Sequence, residues 1–252
     1  MNGIGEIDGN LIAEGATDLV ALQGETLSTI TGSMRLTGLT ILSTLSFPAL
    51  VKVDALEWTT LPSLDSLNFN GPVSQANRIF ITDTHLTSLE GINLEQVKSF
   101  EVTNNAYLRT ISTQVGNITE ALIINNNGLN LTLEFPNLIW AMNMTVRNVS
   151  KLSIPSLQSI NSTFGVYGSY MESVMAPNLT KVGGDVAYVA DAYLTNISMP
   201  LLKSIGGGLL IANCSSLESI DGFASLEKTG AINISGNFTE YVLPLLKPFT
   251  IR

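Results

Sequence analysis

Hydrophobic and polar residues alternate in short bursts along this chain, and the bursts recur at a fixed spacing. The clearest case runs from Pro177 to Phe223, where PNLTKVGGDVAYVADAYLTNIS is followed directly by PLLKSIGGGLLIANCSSLESIDGF. Each copy opens on proline, carries apolar residues two and five positions later (Leu179 and Val182, then Leu202 and Ile205), and passes through glycines into an alternating segment. Six residues beyond Tyr188 and Ile211 come the anchors Leu194 and Leu217, with Ile197 and Ile220 behind them. A period of two predicts strands with the apolar set inside and the polar set outside. Units this short cannot bury their own apolar edge, so they must stack on neighbours of the same kind.

The same phrase is legible from the front of the chain. Ile7 to Ala13 and Ser33 to Leu39 alternate, Pro48 and Pro62 lead the same signature, and Arg78 to Ile81, Phe100 to Val102 and Ala121 to Ile124 are further strands. From Pro136 the leading positions Pro136, Pro155, Pro177, Pro200, Ala224 and Pro244 stand 19, 22, 23, 24 and 20 residues apart. That spacing fits a solenoid rung and is too short for a strand, a crossover helix and a second strand. No stretch of ten or more residues shows helical spacing with caps, so helix should be scarce. The pattern therefore predicts an all-β chain: a right-handed parallel β-helix, or leucine-rich-repeat-like solenoid, of about ten rungs. It reads as one continuous solenoid over 1–252, and a division into two abutting halves at about 1–115 and 116–252 stays open.

Asp83, Asn104, Asn148, Asp191 and Asn213 recur just past the strands. Side chains that bond nearby backbone and tolerate left-handed dihedrals suit a tight corner, and these five are expected to be turn residues. The glycines of KVGGDV and SIGGGLL are followed by strands and not by a helix, which argues for corners and against a phosphate cradle.

Composition narrows the function. Charged residues are only 13% and apolar ones 45%, which excludes a disordered chain. With a net charge of −9 and 12 basic residues, a nucleic-acid partner is not expected. The single cysteine, Cys214, rules out an internal disulfide framework and a multi-cysteine metal site. No run reaches the length of a membrane span, and neither MNGIGEID nor YVLPLLKPFTIR reads as a secretory leader or a lipid-anchor signal, so both ends look cut.

The sharpest functional signal is Asn-x-Ser/Thr. It occurs at Asn117, Asn130, Asn143, Asn148, Asn161, Asn178, Asn196, Asn213, Asn233 and Asn237, and never earlier. Chance pairing of 22 asparagines with 48 serines and threonines would give about four, against ten present. These ten are the candidate N-glycosylation sites, and they point to the secretory pathway. Alternation alone could write some of them, because their middle residues are mostly apolar, yet the first half alternates equally without producing any. If Asn and Ser/Thr face out, the middle residue faces in, which places Cys214 in the core. Asn143 and Asn233 are read as matching outward strand positions.

Catalytic chemistry is hard to find. One histidine, His85, removes most triad and multi-histidine arrangements, and it reads as a solvated turn residue. Polysaccharide-cleaving coils need carboxylates stacked on adjacent rungs, but where Asp191 stands in one rung the next has Cys214. No enzyme, no cofactor and no metal site are expected, with a polysaccharide-active β-helix as the remote alternative.

The phrases LTILSTLSFPAL, ITDTHLTSLEGINLEQVKSFEVTNN, TEALIINNNGLNLTLEFPNLIWAMNMTVRNVSKLSIPSL and SIDGFASLEKTGAINISGNFTE lie between the repeat anchors as well as on them. With them the chain resembles the fungal GPI-anchored cell-wall-organisation glycoproteins with receptor L-domain-like repeats. The resemblance implies a non-enzymatic, N-glycosylated cell-surface protein needed for wall integrity, with wall polysaccharide or wall proteins as partners. It also implies a membrane connection only through a lipid anchor, whose signal is not expected within these residues. A ligand-binding receptor-like module is the competing expectation, and it would show an exposed aromatic patch. Trp58, Trp140, Tyr167, Tyr170, Tyr188 and Tyr193 are the residues to watch. Contacts are expected in the sequon-free half, around Trp58 and Arg78 to His85.

Overall fold

A computed structural model describes residues 3–69 and 72–241, and within them every regular element is a β-strand. The leading position Pro244 lies outside the described residues. Strands stack in parallel as the chain coils. One inward column runs through Leu11, Met34, Leu56, Ile79, Phe100, Leu122, Met144, Phe164, Val186, Leu209 and Ile232, each paired to the next. Eleven stacked strands make about ten coils, as the spacing predicts. Two positions further along, Leu36, Trp58, Ile81, Val102, Ile124, Val146, Val166, Tyr188 and Ile211 form a second inward column, all buried.

A shorter strip precedes this long face within each coil, represented by Ile118, Ala141, Ile160, Val182 and Ile205 in register. Between the two, in the later coils, lie the paired glycines. A Cβ on Gly183 would collide with the Asn161 carbonyl, and one on Gly206 with the Gly183 carbonyl. These glycines are therefore places where adjacent backbones approach too closely for any side chain. A third side is built from short pairs such as Thr110–Ser112 with Thr132–Glu134 and Ser173–Met175 with Asn196–Ser198.

The corner after the long strand is where the backbone reverses hand. Gly15, Gly38, Thr60, Asp83, Asn104, Asn126, Asn148, Gly168, Ala190 and Asn213 all take positive φ, between 51° and 65°, once per coil. Asn and Asp tolerate that region and glycine has no Cβ to object, so the column is mostly these residues. Four of the five expected corner residues sit here. Asp191 does not: Ala190 takes the left-handed position, and Asp191 follows it into the interior, 1% exposed.

Asp191 belongs to a second, inner column with Thr84, Asn105, Asn127, Val149, Ser169 and Cys214. Its members bond from coil to coil. Thr84 donates backbone N–H and hydroxyl to Asn105 Oδ1 at 3.0 and 2.6 Å, and Asn105 N–H donates to Asn127 Oδ1 at 3.1 Å. The Asn105 amide donates to the carbonyls of Ile81 and Thr103, and the Asn127 amide to that of Val102. Further along, Val149 N–H reaches Ser169 Oγ at 3.3 Å and Ser169 N–H reaches Asp191 Oδ1 at 2.7 Å. Such a ladder satisfies corner backbone that the strands leave unpaired.

Candidate glycan-bearing and contact surface

Alternation along the coils decides which side of each sequon meets solvent. Asn117, Asn130, Asn161, Asn178, Asn196, Asn213, Asn233 and Asn237 are exposed, while Asn143 and Asn148 are half-buried. Seven of the ten middle residues (Ile118, Leu131, Met144, Val149, Leu179, Ile197 and Cys214) are buried, as the polar-apolar-polar reading requires. Asn148 and Asn213 stand on the left-handed corner, and the Asn148 amide donates to the Gly168 carbonyl at 3.4 Å.

Asn143 and Asn233 are not equivalent, and this corrects the sequence reading. Register pairs Met144 with Phe164, Val186, Leu209 and Ile232 in turn, so Asn143 precedes the inward column and Asn233 follows it. Asn143 lies just ahead of the strand Met144–Arg147, and its Oδ1 is buried without a partner. Asn161 and Asn178 are held too, the first accepting from Trp140 Nε1 at 3.3 Å and the second donating to the Pro155 carbonyl at 2.8 Å.

The aromatic residues divide sharply. Trp58 and Tyr188 are wholly buried, Trp58 edge-on to Phe69 at 6.2 Å and Tyr188 edge-on to Phe164 at 6.2 Å. Neither ring can form part of a contact face, because each occupies the inward column between apolar neighbours above and below. Tyr167 lies over Gly165, with the Arg147 guanidinium 4.1 Å from its ring centroid. Tyr170 and Tyr193 are exposed neighbours. His85 is not simply a solvated turn residue: its ring stacks on Tyr107 at 3.7 Å, and Nδ1 meets the Pro62 carbonyl at 3.1 Å.

On the outer face of the early long strands, charges form a row across coils. Arg35 meets Glu57 at 2.9 Å and Glu14 at 3.9 Å, and Arg78 meets Glu57 at 3.9 Å. Next to that row the strand positions Thr37, Thr59, Thr82 and Thr103 are stacked, with Thr103 Oγ1 bonded to Thr82 Oγ1 at 3.2 Å. This face presents the Arg35 and Arg78 guanidiniums beside the half-buried Thr37, Thr59 and Thr103, Thr82 itself being buried, and it carries no sequon.

Among the described residues no three His, Cys, Asp or Glu side chains gather to hold a metal ion. Among the described residues Asp191 is the one carboxyl whose environment is unusual: burial raises it from 3.8 to about 6, against the lowering effect of backbone hydrogen bonds at Ser169 and Val189. Its Oδ2 is buried and unpartnered. Burial also pushes up the Cys214 thiol, which lies 3.7 Å from the Tyr188 carbonyl, so it is a small buried hydrophobe and not a reactive nucleophile.

Comparison with known proteins supplies relatives that match nearly the whole chain. It is 40% identical over 247 residues to Protein ecm33 of Aspergillus fumigatus and 41% identical over 249 residues to a cell surface GPI-anchored protein of Arthroderma benhamiae, in each case 98% of this chain. It is 35% identical over 244 residues to the cell wall mannoprotein PST1 of Saccharomyces cerevisiae. The chain belongs to this fungal cell-wall family. It spans 62%, 64% and 54% of the length of these three relatives. No family model and no solved structure matches it. The aligned span takes in all ten coils, so the corner column and the sequon-rich second half lie within the part these family members share in length.

Proposed function

We propose that the chain is the coiled body of a non-catalytic, extracellular glycoprotein at the fungal cell surface that contributes to wall organisation. The observation that carries this reading is the placement of the sequons: eight of ten asparagines are exposed, and all ten stand in the second half. Glycans there would cover the later coils and keep other macromolecules away from them. The bare outer face of the early coils is then the contact surface, with Arg35, Arg78 and the half-buried Thr37, Thr59 and Thr103 meeting the hydroxyls of wall polymer. The relatives' names, cell wall mannoprotein and GPI-anchored surface protein, support the same location.

Crosslinking on intact cells tests the contact face. Crosslinks should concentrate before residue 117 and thin out in an Arg35→Ser, Arg78→Ser variant. Contacts concentrated after residue 117, or none at all, would discard it. A receptor-like module is the second reading, favoured by the exposed Tyr107 ring stacked on the half-buried His85.

A further inference from the structure

Coils of unequal length leave a notch in the surface. From the corner at Asn126 to the strand position Thr132 the chain takes six residues, but from the next corner, Asn148, to the paired position Lys151 it takes three. The short coil creates a concavity of about 270 Å³ lined by Leu129, Asn130, Tyr170 and Tyr193. Leu129 is 71% exposed, Tyr193 59% and Tyr170 38%, and the two tyrosine rings stand 6.1 Å apart at 47°. One wall of the notch is itself a sequon asparagine.

We propose that the notch seats the first N-acetylglucosamine of a glycan carried by Asn130, its C–H face and acetyl methyl lying against Tyr170 and Tyr193. This rests on the glycoprotein reading above. Leu131 is buried, so Asn130 points outward beside it, and a sugar on its Nδ2 begins inside the concavity. Aromatic rings present a negative face to the positive C–H groups of a pyranose, while tyrosine hydroxyls stay at the wet rim. No charged side chain lines the notch, which suits a neutral sugar and not an ionic ligand. Its volume is below the roughly 300–1,000 Å³ typical of sites for free ligands. A tethered sugar needs less: its effective concentration is high without any further contact.

The test uses the full chain secreted from a eukaryotic host. Peptide N-glycosidase F acts on the native protein in ¹⁸O water, and mass spectrometry reads the release rate at each asparagine. Release at Asn130 should be roughly tenfold faster in a Tyr170→Ala, Tyr193→Ala variant than in the parent, the scale expected for one lost stacking contact. Rates at Asn196 and Asn233 should not change, and Tyr170→Phe, Tyr193→Phe should keep the slow release. Both tyrosines are exposed, so unaltered thermal unfolding of the variants is expected and is measured alongside. Equal rates at Asn130 in parent and alanine variant would overturn the inference. So would an unmodified Asn130 beside occupied Asn196 and Asn233, which leaves the glycoprotein reading standing. A chain with no glycan anywhere would overturn both.

Discussion

Replacing Ile211 with aspartate should unfold the coils around it. Ile211 is fully buried, registered between Tyr188 and Ile234 in the second inward column. The substitution removes about 2–3 kcal/mol of apolar burial and places a carboxyl where no cation or donor faces it. A total cost of about 4–5 kcal/mol corresponds to a drop of about 10–20 °C in Tm for a chain of this size. In a solenoid each coil is stabilised by its neighbours, so the loss should spread along the stack and not stay at one residue. Hydrogen exchange should show lost protection across the strands Val186–Val189, Gly208–Ala212 and Ala231–Ser235. Asn233→Asp, on the outward face of the adjacent strand, should change little. A variant of Ile211 as stable as the parent would refute the inward placement.

The second large effect is on pH. Members of the inner column donate to backbone carbonyls: the amides of Asn105 and Asn127, and the Cys214 thiol toward the carbonyls of Tyr188 and Ala212. Asp191 stands in the same column with a bare Oδ2, and a carboxyl can donate there only when protonated. Its folded pKa of about 6 exceeds the ordinary 3.8, because burial disfavours the charge. The folded state therefore holds the proton more tightly than the unfolded chain, and the contribution of Asp191 to stability is greatest below pH 4. It should fall as pH rises from about 4 to about 6 and stay flat above, by on the order of 3 kcal/mol. The nearby Tyr188 and Cys214 are both pushed upward, so they remain neutral across this window. Asp191→Asn supplies a permanent donor and should raise Tm at pH 7 by about 6–12 °C. Subtracting its pH profile from the parent's isolates Asp191 from the other carboxylates. Identical profiles would show that Asp191 is not the group responsible.

Much of this architecture is legible in the sequence because a coil repeats its physics. Leu202, Ile205, Leu209 and Ile211 are buried, the last two as the period of two requires, and Asp83, Asn104, Asn148 and Asn213 mark corners because few residues accept positive φ. Thr60 and Ala190 occupy the same corner without any sequence signature, and that hides the one-residue offset at Asp191. The inner ladder was disguised by its neighbours. In the doublet Asn104-Asn105 the first residue turns the chain, as expected, and the second, identical in type, points inward. Trp58 is misread for a different reason: a large ring with a polar atom fits either face, and only register against Leu36 and Ile81 shows that it faces in. The exposure of the sequon asparagines follows from alternation, with Asn143, ahead of its strand, and Asn148, on the corner after it, as the two half-buried exceptions. The notch depends on a three-residue difference between two loops, and its only trace is the short interval of 19 residues between Pro136 and Pro155.

Intact glycopeptide mapping of the protein recovered from a fungal surface decides whether the later coils are sheathed in glycan. N-glycans are expected at the exposed asparagines, Asn130, Asn196, Asn213 and Asn233 among them, with the lowest occupancy at Asn143, whose carboxamide oxygen is buried. A wall-derived chain with all ten asparagines unmodified would contradict that expectation.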